Sequence, residues 1–172
     1  LRVRTHRRMH FKMDATHPAG APHHQKDVVV DDRVALVGGL DFAQCRWDTT
    51  DHQPDHPLRV FPDGRPCRPF HDVQMMVDGG AASALGDLFR ERWEHATGRR
   101  IRGLKRRSPE TPWPGHVKAD LERCRVAIAR TVPMYEDRTE IREVERLYLD
   151  AIRAARHHIY FGTQYLTSHS VG

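Results

Sequence analysis

Apolar and polar positions along this chain follow two periods, one of strands and one of helices. Val28-Val29-Val30 is an apolar β-branched run that reads as a strand buried on both sides. Asp31-Asp32-Arg33 makes a polar turn, and Val34-Ala35-Leu36-Val37 reads as a return strand ending at Gly38-Gly39. Ahead of this hairpin, His6 to Asp14 alternates weakly and is expected to be a strand. Thr16 to Pro22, with two Pro and one Gly, is a loop. Residues 49–70 hold five Pro and no sustained period, which predicts a long surface loop of a kind that is often functional. Val73, Met75 and Val77 alternate with Gln74 and Met76 as a mostly buried strand. Ala81, Leu85, Leu88, Phe89, Trp93 and Ala96 then fall at helical spacing, with Gly98 placed to end the helix. Gly98 to Gly115 is basic, contains three Pro and reads as a linker. Arg125 to Val132 alternates again as a strand. From Thr139 to about Arg156, Ile141, Val144, Tyr148, Ala151, Ile152 and Ala155 mark one face of an amphipathic helix, and Ile159-Tyr160-Phe161 reads as a short buried strand. Two blocks of strand and helix joined by a basic linker predict an α/β fold.

The hairpin also carries the chemistry. The stretch from His24 to Asp31 reads as a short strand, on which His24 and Lys26, two residues apart, share a face. Imidazole is mostly neutral near pH 7, with an ordinary pKa of about 6.5, so it can attack phosphorus or relay a proton. A neighbouring ammonium suits a phosphoryl oxygen, and phosphoryl transfer depends chiefly on positioning and charge, so a metal is not required where Lys supplies the charge. A His and a Lys two apart also arise by chance on many strands. The spacing His24-x-Lys26-x4-Asp31, followed by Gly38-Gly39, sets this pair apart.

Those residues resemble the signature of the phospholipase D superfamily, and the resemblance covers most of the chain. Gly38-Gly39-Leu40-Asp41 leading to Arg46-Trp47-Asp48-Thr49 is similar to a segment of the phospholipid-cleaving members. Phe70-His71-Asp72-Val73 with Arg92-Trp93 beyond it, then Tyr148-Leu149-Asp150-Ala151-Ile152 and Gln164-Tyr165-Leu166, follow in the family's order. The resemblance implies an α/β/α sandwich with a mixed sheet. Residues 1–98 would close a first half, 99–124 form a basic Pro-containing linker, and 125–172 open a second half. It implies His24 as the nucleophile that forms a phosphohistidine and Lys26 as a phosphate clamp. Asp72 would hold the other imidazole nitrogen, and Asp31 stands in the signature although a turn carboxylate more plausibly bonds backbone. Gly38, Gly39 and Gln164 would line the substrate. The implied substrate is a phospholipid, hydrolysed or transferred to an alcohol at an anionic membrane surface, with no cofactor. A second His-x-Lys-x4-Asp is expected downstream, because none occurs before Gly172. Asp41 departs from the family's Asn, and an unpaired carboxylate there would repel phosphate. Gly162-Thr163 departs from its Glu-Asn.

Composition sharpens this only at the surface. With 38% apolar and 30% charged residues, the chain is of ordinary globular character, neither disordered nor built from membrane spans. The net charge of +5 suits an anionic partner, lipid or, as an alternative, nucleic acid for a nuclease or other phosphodiesterase of the superfamily. Clusters at Arg2–Arg8 and Arg99–Arg107 read equally as binding patches or as solvated loops, and a non-catalytic module docking on anionic membrane stays open. A membrane surface or the cytoplasm is the expected location. Cys45, Cys67 and Cys124, an odd and widely spaced set, fit neither a disulfide scaffold nor a zinc site and read as passive. His52 and His56 flank Asp55, but Pro54 and Pro57 keep a helix from aligning the rings, so no metal is expected there. His6 and His10 lie beside Arg7-Arg8 and read as surface residues.

Overall fold

A computed structural model describes residues 6–21, 23–103 and 112–163, which fall into two compact units, Leu1–Ala127 and Ile128–Gly172. In the first unit the valine run forms β1 (Asp27–Val30) and returns as β2 (Val34–Gly38). Asp31 and Asp32 both adopt positive φ, 53° and 55°, and the Arg33 N–H donates to the Val30 carbonyl at 3.0 Å. Asp tolerates this left-handed backbone better than most side chains, so the hairpin turns where the polar residues interrupt the valines. β3 (Gln74–Asp78) adds antiparallel to β2, giving the order β1-β2-β3.

α1 (Gly79–Thr97) follows directly and packs against all three strands. Ala82 and Leu85, three apart, join Val34 and Ala35 of the central strand in the buried core. Gly98 ends the helix as expected: at φ 67° its N–H donates to the Glu94 carbonyl at 2.7 Å. The Asp32 carboxylate at the hairpin turn accepts both oxygens' worth of bonding from Arg90 Nη1, at 2.9 and 3.0 Å, tying turn to helix. A Cβ on Gly86 would collide with that carboxylate, so the helix needs glycine where the turn docks.

Several expectations are corrected. β1 is an edge strand, its valines half-buried and Val30 exposed, because no strand pairs its outer side among the described residues. Val73 and Met75 are 70% and 56% exposed, so the β3 segment buries less than its alternation suggests. His6 to Asp14 has no strand ladder. The expected strand 125–132 shrinks to β4 (Thr131–Val132), and Ile159, Tyr160 and Phe161 are exposed rather than buried in a strand. Apolar alternation makes a strand only where another strand takes its N–H and C=O groups, and none does so for these segments.

The second unit pairs β4 with β5 (Ile141–Arg142), which runs into α2 (Glu143–Ala154). Arg130 braces this junction. Its guanidinium reaches both Glu143 carboxylate oxygens at 3.0 Å, and its carbonyl accepts the Glu143 N–H at 2.9 Å. The expected α/β character is therefore present. Every strand pairing among the described residues is antiparallel, whereas the resemblance implies a mixed sheet.

Candidate active site

His24 and Lys26 sit just ahead of β1 rather than within it. Lys26 still joins the ladder, its carbonyl accepting the Gly38 N–H at 3.3 Å. The ammonium folds back onto the preceding residues: Lys26 Nζ donates to the His24 carbonyl at 3.0 Å and lies 3.3 Å from Asp41 Oδ1. The other Asp41 oxygen is 3.5 Å from Arg46 Nη2. Asp41, which as a bare carboxylate would repel phosphate, is thus shared between two cations. The Lys26 hydrogen bond, which outweighs an opposing burial effect, and then the Lys26 charge and the hydrogen bond and charge of Arg46 hold its pKa below the usual range. Arg46 also lies over the Phe70 ring at 4.2 Å, and its Nε is buried with no hydrogen-bond partner among the described residues. Two cations bridged by one carboxylate leave a net positive cluster against the backbone of His24, whose side chain is exposed.

The two glycines stand on the next strand for a packing reason. Gly38 pairs with Gln74, and the Gly39 N–H donates to the Val73 carbonyl at 3.1 Å. A Cβ on Gly38 would strike that carbonyl, and one on Gly39 would strike the Asp72 carboxylate. Asp72 Oδ1 accepts its neighbour Val73's N–H at 2.8 Å, and among the described residues no hydrogen bond joins it to His24. Asp31 is exposed at the hairpin turn. It is Asp32, the next residue, that is anchored. Gln164 lies outside the described residues.

Sequence reasoning missed the group that fixes the approach to His24. His23 Nε2 lies 3.0 Å from Asp14 Oδ2, and the same oxygen accepts from Arg92 Nε at 2.9 Å. Arg92 Nη1 reaches on to the Gln25 side-chain oxygen at 3.1 Å, and the His17 ring meets His23 edge to face at 5.0 Å. Burial opposes the Asp14 charge, but hydrogen bonds from Thr16 and Arg92 and the charge of His23 outweigh it and hold the carboxyl well below its usual range. Burial, then the charge of Arg92, pushes the His23 imidazole down despite Asp14. His23 and Gln25, the neighbours of His24, are therefore both tied to α1 through Arg92. No signal short of the fold marks Asp14, since it lies 78 residues from Arg92.

The loop after Gly39 is built rather than slack. Cys45 and Cys67 are joined in a disulfide with Cα atoms 5.4 Å apart, correcting their reading as passive, while Cys124 is free and exposed. Between them Arg59, only 2% exposed, donates to the carbonyls of Trp47, Gln53 and Pro54 at 2.8–3.3 Å and to Asp48 Oδ1 at 2.6 Å. Buried guanidinium donors aimed at loop carbonyls replace the ladder that this Pro-rich sequence cannot form.

With this geometry in place, comparison with known proteins is specific. The profile of the family described as Phospholipase D matches residues 2–171. Phospholipase D beta 2 of Arabidopsis thaliana is 30% identical over 86% of this chain and 22% of its own length. Phospholipase D delta of the same plant is 27% identical over 86% of this chain and 26% of its own length. Phospholipase D C of Dictyostelium discoideum is 34% identical over 43% of this chain and 6% of its own. The chain thus spans about a quarter of the length of the plant relatives it matches. No solved structure matches it.

Proposed function

The chain belongs to the phospholipase D family, and from that premise we propose that it is part of a phosphodiesterase that cleaves phospholipids, with His24 as its nucleophile. The observation that carries this reading is the Lys26–Asp41–Arg46 bridge, with Lys26 Nζ 3.0 Å from the His24 carbonyl. It supplies cationic charge against the backbone of the residue whose exposed imidazole is the assigned nucleophile. In the reaction a neutral ring nitrogen of His24 attacks phosphorus, and the bond from phosphorus to the head-group oxygen breaks. The leaving oxygen takes a proton from an acid that this reading assigns to a second half of the protein. Water or an alcohol then attacks the phosphohistidine, releasing phosphatidic acid or a transferred lipid and restoring His24.

Lys26 and Arg46 receive the phosphoryl oxygens, and Asp41 keeps both cations in place before substrate arrives. Asp72 Oδ2 is the acceptor assigned to the other ring nitrogen of His24, since Oδ1 already takes the Val73 N–H. On the order of the motifs alone, this reading assigns residues 1–98 to the end of a first half and residues 125–172 to the start of a second.

The test uses a protein carrying both halves. His24→Ala should lower phosphatidic acid release from phosphatidylcholine vesicles by more than about a thousandfold, the scale of losing a covalent nucleophile. Denatured enzyme quenched in turnover should carry acid-labile phosphate on His24. Retained activity in the variant removes His24 from the mechanism. The net charge of +5 also favours a polyanionic phosphodiester. Faster cleavage of single-stranded DNA than of the vesicles would move the assignment to that substrate.

A further inference from the structure

We propose that Asp48, His52 and His71 form a site for a zinc-class divalent ion that fastens the Cys45–Cys67 loop to the segment carrying Asp72. One donor atom from each of the three residues lies within 4.8 Å of the other two. Asp48 Oδ2 is 2.7 Å from His52 Nδ1, and the His52 and His71 rings stand edge to face with centroids 4.8 Å apart. Tetrahedral bonds of about 2.0–2.1 Å separate ligand atoms by roughly 3.3 Å, so Asp48 Oδ2 and His52 Nδ1 must part by about 0.6 Å and the widest pair must close by at most about 1.5 Å. Both histidines are exposed and can rotate by that amount.

The carboxylate is prepared for the role. Arg59 Nη2 holds Asp48 Oδ1 at 2.6 Å, which leaves Oδ2 as the single oxygen presented to the two rings. A ligating carboxylate that is itself hydrogen-bonded on its far side is the arrangement found around protein metal centres. The ion takes the place of the proton shared between His52 Nδ1 and Asp48 Oδ2, and that proton passes to Nε2 or to solvent. Two imidazoles and one carboxylate favour zinc or cobalt over calcium or magnesium, which prefer all-oxygen sets. Three protein ligands leave the fourth position to water. Because Asp72 follows His71 directly, the ion fixes the strand entry that carries it. The role is positional, apart from the phosphoryl step, and does not depend on the catalytic reading.

The experiment titrates zinc into the oxidised 172-residue chain carrying Cys124→Ser, which removes the exposed thiol as a competing ligand. Ring-nitrogen NMR and calorimetry report binding. The expected result is one ion, with the ring nitrogens of His52 and His71 shifting together. His71→Ala and Asp48→Asn should each weaken binding by more than about tenfold, since losing a ligand costs at least as much as losing an outer partner. His56→Ala should leave affinity unchanged. Equal affinity in His71→Ala, or shifts at other histidines only, overturns the site. Calcium moving the same rings as strongly as zinc overturns its assignment as an imidazole site. Should a variant fail to fold, the ring shifts of the chain with its ligands intact decide the matter.

Discussion

A methyl group on Gly39 would occupy the space taken by the Asp72 carboxylate, and one on Gly38 would occupy that of the Val73 carbonyl. The two glycines of the motif thereby let β2 and the residues before β3 approach closely enough to place Asp72. The two positions should respond differently. Gly38→Ala meets backbone, which cannot move without opening the ladder, and should cost about 1–3 kcal/mol of stability. Gly39→Ala meets a side chain that can swing away, so stability should change less. Under the catalytic reading its activity falls because Asp72 is displaced. Urea midpoints beside phosphatidic acid release check the pair. A second residue-scale expectation concerns His23. Its imidazole is pushed below the ordinary 6.5 by burial and Arg92, so between the folded pKa and 6.5 the unfolded chain binds more protons. Stability therefore falls as pH drops through that window. Asp14, held below its ordinary 3.8, contributes stability above that value that is lost at lower pH. His23→Gln should remove the first limb and reduce the second only by the share the His23 charge contributes, as read by chemical denaturation across pH. His24, Lys26 and Asp31 could be picked out in the sequence by their spacing, and Asp72 by the resemblance of the segment around it. Asp14, Arg59 and Asp32 could not, because their partners lie 78, 11 and 58 residues away.

At the level of elements, the parts legible in the sequence are those whose causes are local. The hairpin follows from a β-branched run broken by two aspartates, and α1 from an apolar stripe ended by glycine. The segments misread are those whose fate depends on a partner: 125–130 and 159–161 alternate or are apolar, yet no strand pairs them among the described residues. The surface loop expected over residues 49–70 is a loop, and what its sequence does not show is the Cys45–Cys67 disulfide and the buried Arg59 that hold it. No local pattern reveals that two cysteines 22 residues apart will meet. Closing a loop of that length removes chain entropy from the unfolded state worth about 3 kcal/mol. Replacing both cysteines by serine should lower stability by about that amount, measured as a shift in the denaturant midpoint against the oxidised chain. An unchanged midpoint would mean that Arg59 alone holds the loop.

For the molecule as a whole, charge and apolar surface point to a partner beyond the chain itself. No helix among the described residues is long and apolar enough to cross a membrane. Yet Phe42, Leu58, Val73, Met134 and Tyr160 are each more than 65% exposed, and none of α2's residues is buried. Under the proposed reading, the net charge of +5 favours an anionic bilayer. Of the two arginine clusters, Arg99, Arg100 and Arg102 are described and exposed, and Arg100 has only a loose 3.6 Å contact with Glu94. Each such charge near an anionic surface contributes about 1 kcal/mol, so replacing all three by Gln should weaken binding to phosphatidylserine vesicles by at most about 160-fold at low salt. Screening shortens the reach of these charges from about 10 Å at 0.1 M salt to about 3 Å at 1 M. The difference between the parent chain and the variant should therefore close as salt rises, which vesicle sedimentation measures directly. A difference that persists at high salt would place the arginines in direct, buried contacts. Binding that is equal for both chains at low salt would return this cluster to the solvated loop that its sequence equally allows, and leave the exposed apolar side chains as the membrane-facing element.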